Sequence, residues 1–482
     1  MAAAAACFVI AYTAWQTWQV AQAPYPARYD YDEGVYAETA AAWVRGSRPY
    51  ADVFLSQPPA FIAALRAAYR VGGQNMVTAR APAILASAIW LAALFSIPAA
   101  VGRPRAGLFA VCAAAGNAVF SVASHSVQTD GPSEALVAAA VALAVVGARG
   151  GTLPWIAAGI AWALAVLTKL TALTGVLPLI LVAVVSRPHV VGHQGPGTPA
   201  RDHGLPVGAW RAKTLGAGGI GAVATVGAFL PTIWTPAFPT EVIRYHMVAA
   251  RIVGPSPAAN VAAELAFLAG AWPLSAAAVA GALAAFGHRR RGRTGAGASP
   301  AAGWLPPMLL VWFSAECAAL GTVTPLWPHH LILLVSPLAV LAGMGVDAFL
   351  ARAGALRLSA AVVATAAVVA YVVAGTGAAS GSSAALRGTS EALARAVPPD
   401  GEVVTDDPLV PFLAGRPVPA ALIDTSMVRI QSRGDTEQSL DDALARPGVR
   451  AVVLWRGTFR DMLPGFVARA AALFPVVVAA DG

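Results

Sequence analysis

Charge is what this chain has least of. Asp, Glu, Lys and Arg make up 12% of its 482 residues, apolar types make up 57%, and the mean hydropathy is +0.65. That balance excludes a soluble globular protein. Cysteine is almost absent too. Cys7, Cys112 and Cys317 lie in separate apolar stretches, so neither a disulfide framework nor a thiolate metal site is indicated. There is no internal repeat and no phosphate-cradling P-loop. The net charge of +8 would suit nucleic acid if it were clustered on one soluble face, but it is spread over the links between apolar runs.

Crossing a hydrocarbon core takes ~20 predominantly apolar residues, and such runs fill most of the chain. About eleven spans are expected, at 1–22, 77–100, 107–124, 131–148, 154–168, 170–186, 214–234, 261–287, 303–324, 329–350 and 357–376. Their many small residues suit helices that approach closely in lipid. The links alternate in chemistry. One set carries Arg103 and Arg105, Arg149, Arg187 to Lys213, the run HRRRGR at 288–293, and Arg352 with Arg357. The other set is 23–76, 125–130, 235–260, the short TPLWP and everything after 376. Basic links stay in the cytoplasm, so the second set faces outward and the N-terminus inward. The AQA at 21–23 resembles a signal-peptidase site, but no basic residues precede the Ala run, so the first segment is expected to remain as an anchor. The Gly/Pro/His-rich stretch 188–208 reads as a flexible cytoplasmic loop.

The fold class expected is therefore an α-helical polytopic membrane protein with a small C-terminal extracytoplasmic α/β domain. Residues 1–376 would form the membrane domain and 377–482 the α/β domain, with strands at 402–405, 449–455 and 474–480 between helices at 436–446 and 460–472.

Carboxylates concentrate in the first outer loop, 23–76, where YDYDEGVYAE holds Asp30, Asp32, Glu33 and Glu38. The stretch that follows suggests amphipathic helices on the membrane surface. Acids at a helix start have an ordinary explanation, since they favour the positive end of the helix. Their company on the same side argues for more. Asp130 lies where the chain re-enters the membrane in TDGPSEAL. Lys169 interrupts the apolar run LAVLTKLTAL, and an ionisable residue there is costly enough to be a functional candidate. It has no acidic neighbour in sequence. His329 and His330 open a span after TPLWP, and as neighbours they should point to different helix faces, which disfavours a metal pair. His246 and Arg251 occupy the remaining outer loop. Carboxylates, one lysine and Arg/His donors at one water-exposed mouth fit transfer of a group from an anionic lipid carrier. The cations would hold the phosphate and a carboxylate would take the acceptor's proton. Phosphate is already a good leaving group, so no general acid is required.

These residues carry a resemblance. DEGVYAETAAAWVRGSRPYADVFLSQPPAF with Ala79-Arg80, then TDGPSEAL, LTKLTAL and WPHHLILLVSPLAVLAG, resemble the membrane glycosyltransferases of the GT-C superfamily. The nearest branch is that of the dolichyl-phosphate-mannose-protein mannosyltransferases and the bacterial lipid A aminoarabinose transferases. The resemblance covers about 25–350, and the tail is similar to the extracytoplasmic domain of some bacterial members. It implies Asp32 as the acceptor-activating acid with Glu33 beside it, Asp130 as the second acidic position, and Lys169 as a basic position at the outer end of a span. His329 and His330 fall where an Arg or Tyr pair often occurs. Where many members read acid–Lys–Pro–Pro, this chain reads Ser56-Gln57-Pro58-Pro59, so phosphate binding would shift to Lys169, Arg251 or the histidines. A divalent metal between Asp32, Asp130 and phosphate is compatible with the pattern and not required by it.

The function this implies is an inverting glycosyltransferase moving a sugar from a polyprenyl-phosphate donor to a protein, lipid or glycan acceptor at the outer face of the plasma membrane. A transporter or flippase would instead place its charges at the membrane midplane. A lipid-linked glycan ligase shares the apolar design and differs in the carrier consumed. A non-catalytic scaffold would tolerate substitution of the outer charges.

Overall fold

A polar backbone in hydrocarbon has to satisfy its own hydrogen bonds, which makes helix the default for every apolar run. The computed structural model describes residues 1–26, 29–185, 206–254, 256–290, 303–352 and 383–474, and helix dominates them. In chain order these are α1 (Ala2–Gln22), α2 (Tyr31–Val44), α3 (Ala60–Gly72), α4 (Met76–Ala100), α5 (Pro104–Ala115), α6 (Ala118–Ala123), α7 (Asp130–Gly147) and α8 (Thr152–Val166). Then come α9 (Val176–Val185), α10 (Val207–Ile233), α11 (Tyr245–Val253), α12 (Pro257–Gly270), α13 (Trp272–Arg290), α14 (Leu305–Thr322) and α15 (Val335–Arg352). Among the described residues, α4, α7, α10, α14 and the unit Pro328–Arg352 are long and apolar enough to cross a membrane. A sixth candidate is Pro239–Val253 with Pro257–Gly270, bent by 96°. The other apolar runs are shorter or broken. The run 107–124 stops at Gly116, and Asn117 caps a new helix by accepting the amides of Val119 and Phe120. The run 261–287 breaks between α12 and α13. The last expected span, 357–376, lies outside the described residues, as does 188–205 and the basic run from 291 onward.

The bundle packs around Trp90, Trp312, Phe120, Leu94, Ile97 and Leu305, all fully buried. Small residues set how closely its helices approach. A Cβ on Gly159 of α8 would run into the carbonyl of Gly218 in α10, so the two backbones touch there.

Over the end of the bundle that carries the starts of α4 and α7 sits a second layer made of α2, α3 and the C-terminal segment. Here α3 behaves as an amphipathic helix, burying Phe61, Ile62, Leu65 and Tyr69 while Arg70 and Val71 stay exposed. α2 does not. Its residues 33–42 are all buried, because the C-terminal segment covers the face that a membrane-surface helix would leave open. The C-terminal elements are a helix Ala384–Ala396, strand β1 (Glu402–Thr405), the short helices Leu409–Leu413 and Met427–Gln431, a helix Glu437–Leu444, strand β2 (Val449–Val453) and helices to Leu473. β1 and β2 pair in parallel, with Val404 opposite Val452. Alternation along β1 divides two cores: Val403 faces α2 and α3, and Val404 packs with Leu440, Phe459 and Phe466. The third strand expected at 474–480 falls outside the described residues from 475 on.

Candidate functional site

The second layer and the bundle meet at one cluster of charge. α7 starts at Asp130. α8 ends at Val166, and the amides of Thr168 and Lys169 both return to the carbonyl of Ala165, which swings Lys169 out of the helix into an extended conformation. Its Nζ donates to both oxygens of Asp130 at 2.7 Å, and both side chains are buried. The lysine that had no acidic neighbour in sequence thus has a bidentate partner in space. Burying a charge is costly, and pairing of this kind offsets part of that cost.

His329 joins this pair to the first loop. It lies in a 3-10 turn, Pro328–Leu334, that precedes α15. Its Nδ1 is 3.3 Å from Asp30 and its Nε2 3.9 Å from Asp130. Asp30 is the N-cap of α2, accepting the amide of Asp32 at 3.1 Å. Burial would raise the Asp30 carboxyl, but the hydrogen bond and charge of His329 outweigh it and hold it below the usual range. Asp32 behaves in the opposite way. Burial, then the like charge of Asp30, push it up to about 7, against the opposing pull of His329 and Lys169. Its carboxylate makes no hydrogen bond among the described residues. Two neighbouring acids are therefore driven apart, one fixed as an anion and one poised to exchange a proton near neutrality.

The remaining candidates divide. Glu33 accepts Arg80 through both oxygens at 2.9–3.2 Å and the amide of Val127 at 3.1 Å. It is fully buried and joins α2 to the starts of α4 and α7. Gln57 is buried in the loop before α3, and its carbonyl accepts the Tyr50 hydroxyl. Next to it, Ser56 accepts from His246 at 2.9 Å, and the amide of Ala60 bonds the carbonyl of Leu167, bringing the SQPP turn beside Lys169. Arg251 is exposed at the end of α11 and forms no ion pair among the described residues, so the structure does not bring it to the cluster.

The two histidines do not point apart. Because their segment opens as a 3-10 turn, their rings stand 4.6 Å apart at right angles, and with Asp130 they bring donor atoms within 4.8 Å of one another. That set could hold a divalent ion. As placed, however, both Asp130 oxygens are already taken by Lys169, and Nδ1 of His330 accepts the amide of Trp327. A metal held there would share Asp130 with the ammonium. Asp32 is not in the set.

Sequence reasoning missed contributors from the C-terminal segment. Asp424 and Arg456 lie close enough for their charges to act on Asp32 and Asp30, respectively. Nothing near either residue in sequence signals this. Asp30 did carry a signal, since an acid one residue before a helix start is an N-cap pattern.

The sequence model of the dolichyl-phosphate-mannose-protein mannosyltransferase family matches residues 56–196, which include Gln57, Arg80, Asp130 and Lys169. No curated protein sequence matches. Among solved structures the chain is similar to ArnT from Cupriavidus metallidurans bound to undecaprenyl phosphate, with a TM-score of 0.62 and 17% identity over 95% of this chain and 94% of that one. For the apo state of ArnT the values are 0.63 and 19%, over 96% and 95%. The archaeal oligosaccharyltransferase AglB from Archaeoglobus fulgidus, in complex with an inhibitory peptide and a dolichol-phosphate, aligns at 0.51 and 12%, over 86% of this chain and 64% of that one. The likeness to these solved structures is one of fold, and the family model adds a match in sequence over residues 56–196.

Proposed function

We propose that this protein is an inverting glycosyltransferase that moves a sugar from a polyprenyl phosphate to an acceptor at the outer face of the membrane. The observation that carries this is Asp32, whose carboxylate has no hydrogen-bond partner among the described residues, standing near the buried Lys169–Asp130 ion pair at the end of an apolar bundle. Asp32 takes the proton of the acceptor hydroxyl as that oxygen attacks the anomeric carbon. The bond from that carbon to the phosphate oxygen breaks in the same displacement, and the lipid phosphate leaves with the electron pair. An ammonium has three N–H donors. Lys169 spends two on Asp130, and the third, with His329, is available to the phosphate. Asp130 orients Lys169, and Glu33 with Arg80 fixes α2, on which Asp32 is mounted.

ArnT, whose fold this chain shares, is seen with undecaprenyl phosphate, and the same carrier is the first probe to use. Purified protein in lipid discs should bind undecaprenyl phosphate. It should also release that carrier from undecaprenyl-phosphate-linked pentoses or hexoses when membranes supply an acceptor, and the product should have the inverted anomeric configuration. Retention of configuration, or no binding of the carrier, would overturn this reading.

A further inference from the structure

Tyr29 and Tyr31 straddle Asp30, and the C-terminal segment holds both. The Tyr29 hydroxyl donates to Asp407 at 3.0 Å and accepts from the indole N–H of Trp455 at 2.7 Å. The Tyr31 hydroxyl accepts the amide of Thr425 at 2.8 Å and donates to Asp424 at 3.4 Å, while the guanidinium of Arg456 lies 5.3 Å over its ring. Asp406 accepts the amides of both Trp455 and Arg456, and the Thr425 hydroxyl donates to the carbonyl of Thr405 at 2.9 Å, which joins the three holding loops. Further along α2, Glu38 accepts the amide of Val418 at 3.1 Å. At Gly34 the helix lies so close to Leu409 that a Cβ would stand 2.5 Å from that residue's backbone nitrogen. A module merely resting on the bundle has no need of hydrogen bonds to the two residues that flank Asp30, nor of backbone contact with the helix that carries Asp32.

We propose that the C-terminal segment is a positioning element of the reaction centre, with Tyr31 as the coupling residue: its hydroxyl, held by Thr425 and Asp424, sets where the first turn of α2 presents Asp30 and Asp32. The catalytic consequence rests on the function proposed above, whereas the mechanical coupling does not. Tyr31 touches no reacting atom in this scheme. It acts through the helix start, and small misplacements of a catalytic group are expensive in rate.

The test uses the full chain in lipid discs with two substitutions. Tyr31→Phe deletes one hydroxyl and keeps the ring; Gly34→Val wedges α2 away from Leu409. Amide exchange over residues 29–38 is measured, together with undecaprenyl phosphate affinity and the kcat and KM for an undecaprenyl-phosphate-linked sugar. Exchange of 29–38 should accelerate in both variants. In Tyr31→Phe, kcat should fall by about tenfold or more while KM and carrier affinity stay put, the pattern of an interaction felt only in the transition state. Exchange unchanged from wild type overturns the coupling. Accelerated exchange with kcat intact, or with carrier affinity lost in step, overturns the positioning role. A wild-type protein that binds no carrier tells against the glycosyltransferase reading alone, because exchange in the two variants still decides the coupling.

Discussion

Four carboxylates in one short stretch receive four different tasks. Asp30 caps α2 and meets His329, the Asp32 carboxylate has no hydrogen bond among the described residues, Glu33 is consumed by Arg80, and Glu38 joins Arg45 to the amide of Val418. A base has to be ionised to act, so a carboxyl raised to about 7 should make the rate fall as pH drops below that value. Asp32→Asn should therefore lower transfer by ~10²-fold or more and flatten this acid limb, with carrier binding retained. Asp30→Asn removes a like charge from beside Asp32, so the limb should move to lower pH. A limb unmoved in Asp30→Asn would show that another group titrates. At Lys169 the pairing with Asp130 reverses a simple expectation. Replacing an unpaired lysine by Met would relieve the membrane, but here Lys169→Met strands a buried carboxylate, and breaking such a pair costs ~3–5 kcal/mol. The melting temperature should fall in Lys169→Met and recover in Asp130→Asn/Lys169→Met, while undecaprenyl phosphate binding stays impaired in both. Recovery of binding in the double variant would remove Lys169 from the phosphate site.

At the scale of elements, Lys169 is aimed by the end of α8, and α8 is seated by its contact with α10. Gly159 has no room for a side chain against Gly218. Gly159→Leu should force the two helices apart, with overpacking costs of ~1–3 kcal/mol. Because Lys169 follows three residues after α8 ends, carrier affinity should drop along with thermal stability. Stability lost with affinity intact would show that the helix end is held by Asp130 alone. α2 gives the complementary lesson. Its Ala-rich sequence reads as an interfacial helix because nothing near it tells that Leu409 and Val418, more than 370 positions away, will cover its open face.

At the scale of the whole molecule, the hydrophobic core beneath the C-terminal segment is shared. Leu386, Val403, Leu409 and Phe412 pack with Val35, Leu65 and Tyr69, while among the described residues the cluster around Val404, Leu440, Phe459 and Phe466 is the segment's own. Expressed alone, residues 383–482 should thus expose one apolar face, bind a hydrophobic dye and unfold without a sharp transition. A cooperative transition in the isolated segment would mean that its own cluster suffices. Coupling also predicts that the segment and the first loop lie on the same side of the membrane. Cysteine labelling in sealed cells should reach positions in 400–480 and spare 288–293, and labelling of the latter would invert the assigned orientation.

The sequence by itself determined the class of the molecule and singled out a short set of charged candidates. Scarce charge and long apolar runs leave helices in lipid as the stable outcome, and strands such as Glu402–Thr405 show in a local run of β-formers. Asp130, Lys169 and His329 stand out because each is a costly group at the edge of an apolar run, and Asp32 because it belongs to a concentration of carboxylates in a chain poor in charge. Only the tertiary structure decided who partners whom. That Lys169 belongs to Asp130, that Glu33 is spent on Arg80, that His329 and His330 converge, and that Tyr31 answers to Thr425 are contacts between segments 39 to 394 positions apart, or, for the histidines, the result of a 3-10 turn. Pairings of that range follow from how the helices pack, and no local pattern of residue types encodes them.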